Sequence, residues 1–205
     1  RRVPAAVVDT RARYVKVRET TLPGCLLIQP QVFEDRRGFF YENWNAETFA
    51  RAGLPMRFVQ SNVSRSAQGV LRGLHCQWPD PQGKLVHVLE GEVWDVAVDV
   101  RLGSPTFACW TGAVLSARNR HHLWIPEGFA HGFLVLSEAA LLGYLCTAPY
   151  SASSEFSIRW DDPSLSIEWF TASDAPLLSE RDARAPALHE LPSERLPVYD
   201  PNLSR

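Results

Sequence analysis

Several features that assign proteins to common functional classes are scarce in this sequence. It has one methionine, four cysteines and no Cys-x-x-Cys pair in 205 residues. No stretch approaches the roughly 18–20 consecutive apolar residues that a membrane helix requires. Basic residues form no run, and the formal net charge is −2. We therefore expect no membrane partner, no nucleic-acid partner and a cytoplasmic location.

The cysteines are too few and too scattered to predict a disulfide framework. Cys25, Cys76, Cys109 and Cys146 all stand in apolar or strand-like segments. Buried free thiols in a reducing compartment are the expected state for such residues.

Aromatic residues and proline are plentiful, with 7 Trp, 10 Phe, 5 Tyr and 15 Pro. Short strand-like segments recur about every 8–12 residues with turn signals between them, which predicts a one-domain all-β sandwich or barrel. Short helices are predicted at residues 45–51, with Asn45 as N-cap, and at 179–185. A hairpin turn is predicted at residues 90–92. We divide the chain into an N-terminal extension (1–18), a folded domain (19–188) and a C-terminal tail (189–205).

The strand predicted near residues 93–99 carries one informative polar residue. Trp94, Val96 and Val98 fall on one face of the strand, and Val93 and Asp95 fall on the other. This pattern fits a barrel with a polar interior, and it also fits a sheet with one face in solvent.

Two β-rich segments each end in one histidine, His75 and His131. Their spacing resembles the two half-motifs of a cupin barrel, in which three histidines and a glutamate converge on one metal ion. Here Gln77 replaces the second histidine, and Arg120 replaces the first glycine of the second half-motif. Because transition metals in proteins usually have three or more protein ligands, we expect no metal. Each histidine taken alone is more typical of a hydrogen-bonded core residue, but the two matched half-motifs together favour a functional role.

An unligated imidazole at a barrel mouth suits general-base chemistry near neutral pH. Such a base needs a carboxylate to orient it and a cation or donor to stabilise the charge it creates. The candidates for the second role are Arg72 and Lys84. Strict alternation places Arg72 on the face opposite His75, but a bulge at Gly73 would bring the two together. The residues alone do not identify the carboxylate.

Long runs of the sequence resemble the dTDP-4-dehydrorhamnose 3,5-epimerase family, in order from about residue 20 to 188. The runs are residues 33–40, 58–62, 69–75, 82–86, 91–99, 104–107, 123–137, 158–162 and 177–182. The resemblance implies a cupin-like antiparallel β barrel (jelly roll) with a few short helices and no metal or other cofactor. It also implies a homodimer that epimerises a nucleotide-linked 4-keto-6-deoxyhexose at C3 and C5.

The same resemblance assigns roles by position. It makes His75 the general base, Asp182 its orienting partner, Tyr144 the general acid and Lys84 the cation that stabilises the enolate. By itself, Tyr144 is typical of a core aromatic on an apolar strand. The implied substrate-binding residues, some of them reaching the partner subunit's site, are Arg37, Glu42, Gln60, Asn62, Arg72, Asp95 and His131.

The chain departs from the family pattern at several positions. Cys76, His87 and Leu145 stand where the family often has Tyr, Arg and Lys, and Pro149-Tyr150 replaces an aromatic pair. Because we expect the last of these positions near the pocket, base stacking and the choice between C3 and C5 stay open. The alternatives are a single-site epimerase of a deoxysugar pathway, a non-catalytic sugar-nucleotide-binding cupin and a metal-dependent cupin enzyme.

Overall fold

The structure, a computed structural model, describes residues 15–54, 57–170 and 175–201. These residues form thirteen β strands and two short α helices. The strands are β1 (Val15–Glu19), β2 (Leu26–Pro30), β3 (Val32–Asp35), β4 (Gly38–Tyr41), β5 (Gln60–Ala67), β6 (Leu71–Gln77), β7 (Lys84–Glu90), β8 (Glu92–Asp99), β9 (Trp110–Ser116), β10 (His122–Ile125), β11 (Phe129–Val135), β12 (Ala139–Cys146) and β13 (Glu155–Ser157). The helices are α1 (Ala46–Arg51) and α2 (Glu180–Ala183).

The strands assemble into two antiparallel sheets and a separate hairpin. The six-stranded sheet has the order β1-β2-β10-β7-β12-β5, the five-stranded sheet has the order β13-β6-β11-β8-β9, and β3 pairs with β4. This arrangement confirms the predicted all-β, cupin-like jelly roll. Among the described residues, no helix has the length and hydropathy needed to span a bilayer.

The main hydrophobic core fills the space between the two sheets. Val86 and Leu142 from the six-stranded sheet pack in one cluster with Val93 and Ala97 of β8. Asp95 shares the inward face of β8 with Val93 and Ala97, and it is 0% exposed. The barrel-interior interpretation of this strand is therefore confirmed.

The opposite face of β8 is also buried. Val96 and Val98 belong to a second cluster, which contains Ile158, Leu188 and Leu196 from the C-terminal part of the chain. We call residues 188–199 the C-terminal strap because they lie across this outer face. The strap explains why the outer face of β8 is apolar as well as the inner residues Val93 and Ala97, since the strand is covered on both sides.

Helix α1 covers part of the outer face of the six-stranded sheet. Phe49 packs there against Ile28 and Leu85. The side chain of Asn45 accepts hydrogen bonds from two backbone N–H groups of the first turn, which confirms the predicted N-cap. Residues 15–18, which the sequence division assigned to the extension, pair with β2 as part of β1.

A pair of buried histidines lies on the outer face of the same sheet. The ring centroids of His87 and His122 are 5.3 Å apart. Asn43 bridges them, with Oδ1 at 2.9 Å from His122 Nε2 and Nδ2 at 3.3 Å from His87 Nε2. Burial lowers the pKa of His87 to about 4, and burial and the neighbouring histidines lower that of His122 to about 3. One amide, with its donor and its acceptor, can therefore serve two neutral imidazoles.

The turn at residues 90–92 exists, but it is not a hairpin. Gly91, with φ of +78°, joins β7 to β8, which belong to different sheets and do not pair. The chain crosses from one layer of the barrel to the other at this point. The hairpin prediction was wrong because a turn signal marks a reversal without specifying which strand pairs next.

Three of the four cysteines are buried as expected, and Cys109 is exposed. The segment that holds Cys109 was expected to be strand-like, but β9 begins only at Trp110. Cys109 therefore lies in the preceding turn, where nothing covers its side chain within the described residues.

Two glycines allow the crossing at Gly91 to be tested. A Cβ atom at Gly91 would lie 2.0 Å from the carbonyl oxygen of Ala139, whereas one at Gly103, with a similar φ of +82°, would meet nothing within 4 Å. Both alanine variants pay the conformational cost of a positive φ, about 1 kcal/mol. We expect Gly91→Ala to lose at least about 2 kcal/mol more of the free energy of unfolding than Gly103→Ala, since backbone must move. Urea denaturation measures both, and equal losses would contradict the proposed clash.

Candidate active site

A cavity of about 410 Å³ opens between the two sheets at one end of the barrel. Strands β5, β7 and β12 supply one wall, and β6, β11 and the segment around β13 supply the other. The lining residues are Gln60, Asn62, Ser64, Arg72, His75, Cys76, Gln77, Gln82, Lys84, His131, Phe133, Tyr144, Tyr150 and Glu155. Most of the site residues expected from the sequence therefore meet in one place.

A bulge in β6 brings Arg72 and His75 to the same cavity. His75 pairs with His131 and Arg72 pairs with Phe133, so two residues of β6 stand opposite one residue of β11. Gly73 lies in this bulge with φ of +132°. The bulge that the sequence left as a possibility is confirmed, and it corrects the strict alternation that would have separated the two side chains.

His75 has a carboxylate partner. Its Nε2 lies 2.7 Å from Oδ1 of Asp182, whose side chain is only 4% exposed. Burial raises the pKa of Asp182, but hydrogen bonds from His75, Ser179 and the Gly73 backbone outweigh it and hold the pKa below its usual range. An ionised acceptor favours the tautomer that carries the proton on Nε2 and leaves Nδ1 as the basic nitrogen.

Asp182 reaches His75 because α2 is capped and docked beside β6. The Ser179 hydroxyl accepts a hydrogen bond from the Asp182 backbone N–H, which fixes the first turn of α2. Residue Leu177 bonds to the backbone of Gly69 and Leu71 just before that turn. The chain is therefore anchored to β6 before α2 begins.

A second His–Asp pair lies next to the first. His131 Nε2 is 3.0 Å from both carboxylate oxygens of Asp95. Burial raises the pKa of Asp95, and His131 opposes that rise. Asp95 is not among the cavity-lining residues, since it lies behind His131. Its contribution to the site is to hold the His131 ring.

Lys84 and Tyr144 lie on the wall that faces the histidines. Lys84 is 8% exposed, and burial lowers its pKa. Its Nζ lies 3.5 Å from the Gln82 carbonyl oxygen, and within the described ranges it forms no ion pair with a carboxylate. Burial raises the pKa of Tyr144, so the phenol stays protonated at neutral pH. The wall thus offers the Lys84 amino group as a donor and a neutral acid.

Polar residues on both walls are held by neighbours. Arg72 Nε donates to Ser66 Oγ at 3.0 Å. Gln60 accepts a hydrogen bond from the Tyr150 backbone N–H at 2.8 Å and donates to Asn62 at 3.1 Å. These bonds order the side chains without using the Nη donors of Arg72, which stay available to a ligand.

Sequence reasoning missed a polar cluster at the cavity mouth. The carboxylate of Glu155 accepts hydrogen bonds from the Tyr150 hydroxyl at 2.8 Å and from Arg181 Nη1. Arg181 immediately precedes Asp182, but no motif pointed to it. β13, the three-residue strand that carries Glu155, is too short for its alternation to be detected.

Asp95 and Asp182 lie behind the histidines that line the cavity, whereas Arg37 and Glu42 lie away from it. Arg37 stands on the β3–β4 hairpin, pairs with Asp35 and has an 84% exposed side chain. Glu42 follows the same hairpin and accepts a hydrogen bond from Asn45 at 2.8 Å.

Of the departures from the family pattern, Leu145 packs on the outer face of the sheet and Tyr150 lines the cavity. Leu145 is turned away from the cavity because side chains alternate along β12 and Tyr144 points inward.

Comparisons with known proteins agree with this geometry. A family model described as dTDP-4-dehydrorhamnose 3,5-epimerase matches residues 19–190. The dTDP-4-dehydrorhamnose 3,5-epimerase of Pseudomonas aeruginosa is 52% identical over 174 residues, which are 84% of this chain and 96% of that protein.

Solved structures are also similar. A dTDP-6-deoxy-D-glucose-3,5-epimerase from Legionella pneumophila, in complex with dTDP-4-keto-L-rhamnose, has a TM-score of 0.88 at 49% identity, covering 91% of this chain and 100% of that one. A 3′-monoepimerase from Streptomyces bikiniensis, in complex with dTDP-quinovose, has a TM-score of 0.78 at 37% identity, covering 86% and 90%.

The fold and the site together define a cupin-like isomerase. The chain belongs to the dTDP-4-dehydrorhamnose 3,5-epimerase family.

The His75–Asp182 pair makes stability depend on pH in a predictable direction. Because the pKa of Asp182 is lowered on folding, its ionised form stabilises the protein above the unfolded value of about 3.8, and this contribution disappears as the pH falls through the folded value. We expect Asp182→Asn to cost about 2 kcal/mol of unfolding free energy at pH 7, and less as the pH drops below about 4. Urea titrations at several pH values measure the difference, with Glu180→Gln on the exposed side of α2 as control. A cost that does not change with pH would contradict the ionised pair.

Proposed function

We propose that this protein inverts C3 and C5 of dTDP-4-dehydro-6-deoxy-D-glucose to give dTDP-4-dehydro-L-rhamnose. The observation that carries the proposal is the convergence of one oriented base, one neutral acid and one buried cation in a single cavity. His75 with Asp182 supplies the base, Tyr144 the acid and Lys84 the cation. The names of the relatives support the choice of substrate.

The first step is removal of a proton beside the C4 ketone. The C–H electron pair moves into the ring to form an enolate, and the charge resides on O4 while His75 Nδ1 takes the proton. The carboxylate of Asp182 stabilises the imidazolium that forms. Lys84 and the Nη donors of Arg72 stabilise the oxyanion.

The second step returns a proton to the same carbon from the opposite face. Tyr144 donates its phenolic proton, the enolate collapses to the ketone, and the carbon is inverted. His75 and Tyr144 then exchange their protons with solvent, so the enzyme is restored and no redox change occurs. The same groups serve C3 and C5, since each carbon lies beside the same ketone.

The chemistry uses no resident metal or organic cofactor in this proposal. A lysine and an arginine at O4 take the place that a metal ion would have as a charge acceptor. The donor set supports this assignment, because the cavity lining has two histidines, with Gln77 where a cupin metal site has a further histidine. In the part of the chain that the structure describes, no three His, Cys, Asp or Glu side chains are grouped as metal ligands.

The nucleotide end of the substrate belongs at the cavity mouth. Tyr150 offers an aromatic ring there, and Arg181 and Arg72 offer guanidinium groups for a diphosphate. The complex of the Legionella pneumophila relative with a dTDP-sugar supports a ligand of this class.

We also propose that the functional unit is a homodimer. The β3–β4 hairpin exposes Phe33, Phe39 and Phe40 by 50%, 58% and 69%, which is costly for a free monomer surface. The hairpin also carries Arg37, away from its own cavity. A second copy would cover these rings, and it would receive Arg37 and Glu42 at its nucleotide site.

A second candidate, single-site epimerisation, is favoured by one observation. Tyr150 lines the cavity where the family usually has an aromatic pair, and a 3′-monoepimerase is among the structural relatives. A shift of the nucleotide at the cavity mouth would change which sugar carbon faces His75.

Turnover in deuterated water distinguishes these functions. We expect deuterium at both C3 and C5 by NMR in the parent protein. His75→Ala should lower exchange at both carbons by about three orders of magnitude, since no other group takes the proton. Tyr144→Phe should retain exchange but return deuterium with unchanged configuration. Deuterium at one carbon would favour the single-site epimerase, and exchange by His75→Ala near the parent rate would exclude His75 as the base.

The shared site can be tested by mixing two inactive variants. If Arg37 acts in the partner's cavity, a dimer of one Arg37→Ala and one His75→Ala chain contains one complete site. Random mixing should therefore restore about a quarter of the parent sites. Light scattering checks the dimer in parallel, and Arg36→Ala serves as the hairpin control. A fully active monomer, or the absence of any recovery in mixed dimers, would contradict the proposal.

A further inference from the structure

We propose that Arg195 is a positioning residue for the mouth of the active site. It lies in the C-terminal strap and holds the segment of residues 150–157, here called the rim segment, which carries Tyr150 and Glu155. This inference rests on the function proposed above and concerns how tightly the substrate is held.

Arg195 contacts the outer edge of the rim segment. Its Nη2 donates to the backbone carbonyl oxygen of Glu155 at 3.0 Å, and its Nη1 lies 3.5 Å from that of Ser153. The inner edge of the same segment pairs with β6, with Ser157 opposite His75 and Glu155 opposite Gln77. β13 is an edge strand of three residues, so its outer carbonyl groups need donors from elsewhere. The planar guanidinium supplies two donors in a fixed orientation.

The carbonyl group that Arg195 contacts belongs to Glu155, whose carboxylate holds two residues at the cavity mouth. Glu155 places its carboxylate between the Tyr150 hydroxyl and Arg181. Arg181 Nε also donates to Ser157 Oγ at 3.2 Å. Displacement of Glu155 would therefore move both the aromatic ring and the guanidinium that we assign to the nucleotide end.

The strap is anchored independently of Arg195. Leu188 and Leu196 are buried in the cluster that contains Phe156. Beyond them, the Leu102 N–H donates to the Pro197 carbonyl at 2.7 Å, and the Tyr199 N–H donates to the Leu102 carbonyl at 2.9 Å. Loss of the guanidinium should leave the strap in place and free only the rim. Arg195 also lies beyond residue 190, where the match to the family model ends.

The expected kinetic signature is a change in KM. The rim contacts the nucleotide, which is bound equally in the ground state and the transition state, whereas His75, Asp182 and Tyr144 are untouched. Loss of uniform binding raises KM and leaves kcat unchanged. A general loss of structure would lower the active fraction and therefore kcat.

The experiment compares Arg195→Ala with Arg184→Ala. Arg184 and Arg195 line one surface groove beside the rim segment. The side chain of Arg184 is 80% exposed, and it pairs only loosely with Glu180, at 3.7 Å. We expect Arg195→Ala to raise KM about tenfold with kcat within about twofold, and Arg184→Ala to match the parent. Arg195→Lys, with one donor group in place of a fork, should give an intermediate KM. It also keeps the test usable if the alanine variant unfolds.

Two further readouts separate positioning from a direct charge effect. In a Glu155→Ala background, Arg195→Ala should add little to KM, because Arg195 affects KM by placing the Glu155 carboxylate, which that background lacks. The KM ratio between Arg195→Ala and parent should be the same at low and high salt, whereas direct attraction of the diphosphate would weaken with salt. An unchanged KM, a loss confined to kcat, additive effects with Glu155→Ala or a salt-dependent ratio would each overturn the proposal. An inactive parent protein in the same assay would instead refute the proposed function.

Discussion

The close approach of two backbones at Gly73 and Gly132 is the constraint on which the site depends. A Cβ atom on Gly73 would lie 2.5 Å from the Cα of Gly132, and one on Gly132 would lie 2.9 Å from the Arg72 carbonyl oxygen. Only two glycines permit strands β6 and β11 to pass at this distance. The extra residue in β6 then turns Arg72 and His75 into one cavity and sets His75 beside His131. A bulge of one residue thus decides which chemistry the barrel can support.

The part of the chain after β12 contributes to both stability and chemistry. It covers the outer face of β8, where an uncovered surface of valines would face water. The same stretch delivers Glu155, Arg181 and Asp182 to the cavity. The same segment therefore covers the outer hydrophobic cluster and supplies His75 with its carboxylate partner.

Local patterns in the sequence were sufficient for some features and insufficient for others. Alternation in β8 placed Asp95 on the face opposite Trp94 and Val96 but left open whether that face is inward, whereas Asn45 predicted the start of α1. The spacing around His75 and His131 predicted their convergence, because strand partners in a barrel are set by regular register. Asp182 came only from the family resemblance, since its 107-residue separation from His75 leaves no local signal. Glu155 and Arg181 were missed for the same reason, and the crossing at Gly91 was misread because sheet membership is a property of the whole fold.

The neutral histidine pair on the outer face has a consequence for behaviour in acid. In an unfolded chain His87 and His122 would take up protons below pH about 6.5, whereas in the folded protein they resist protonation down to about 4 and about 3. Unfolding between these limits therefore consumes protons, and acid favours the unfolded chain. Above pH about 6.5 both states are neutral and the pair has no effect on this balance. Mild acid therefore destabilises the folded protein through this one buried histidine pair, which Asn43 holds just after the β3–β4 hairpin.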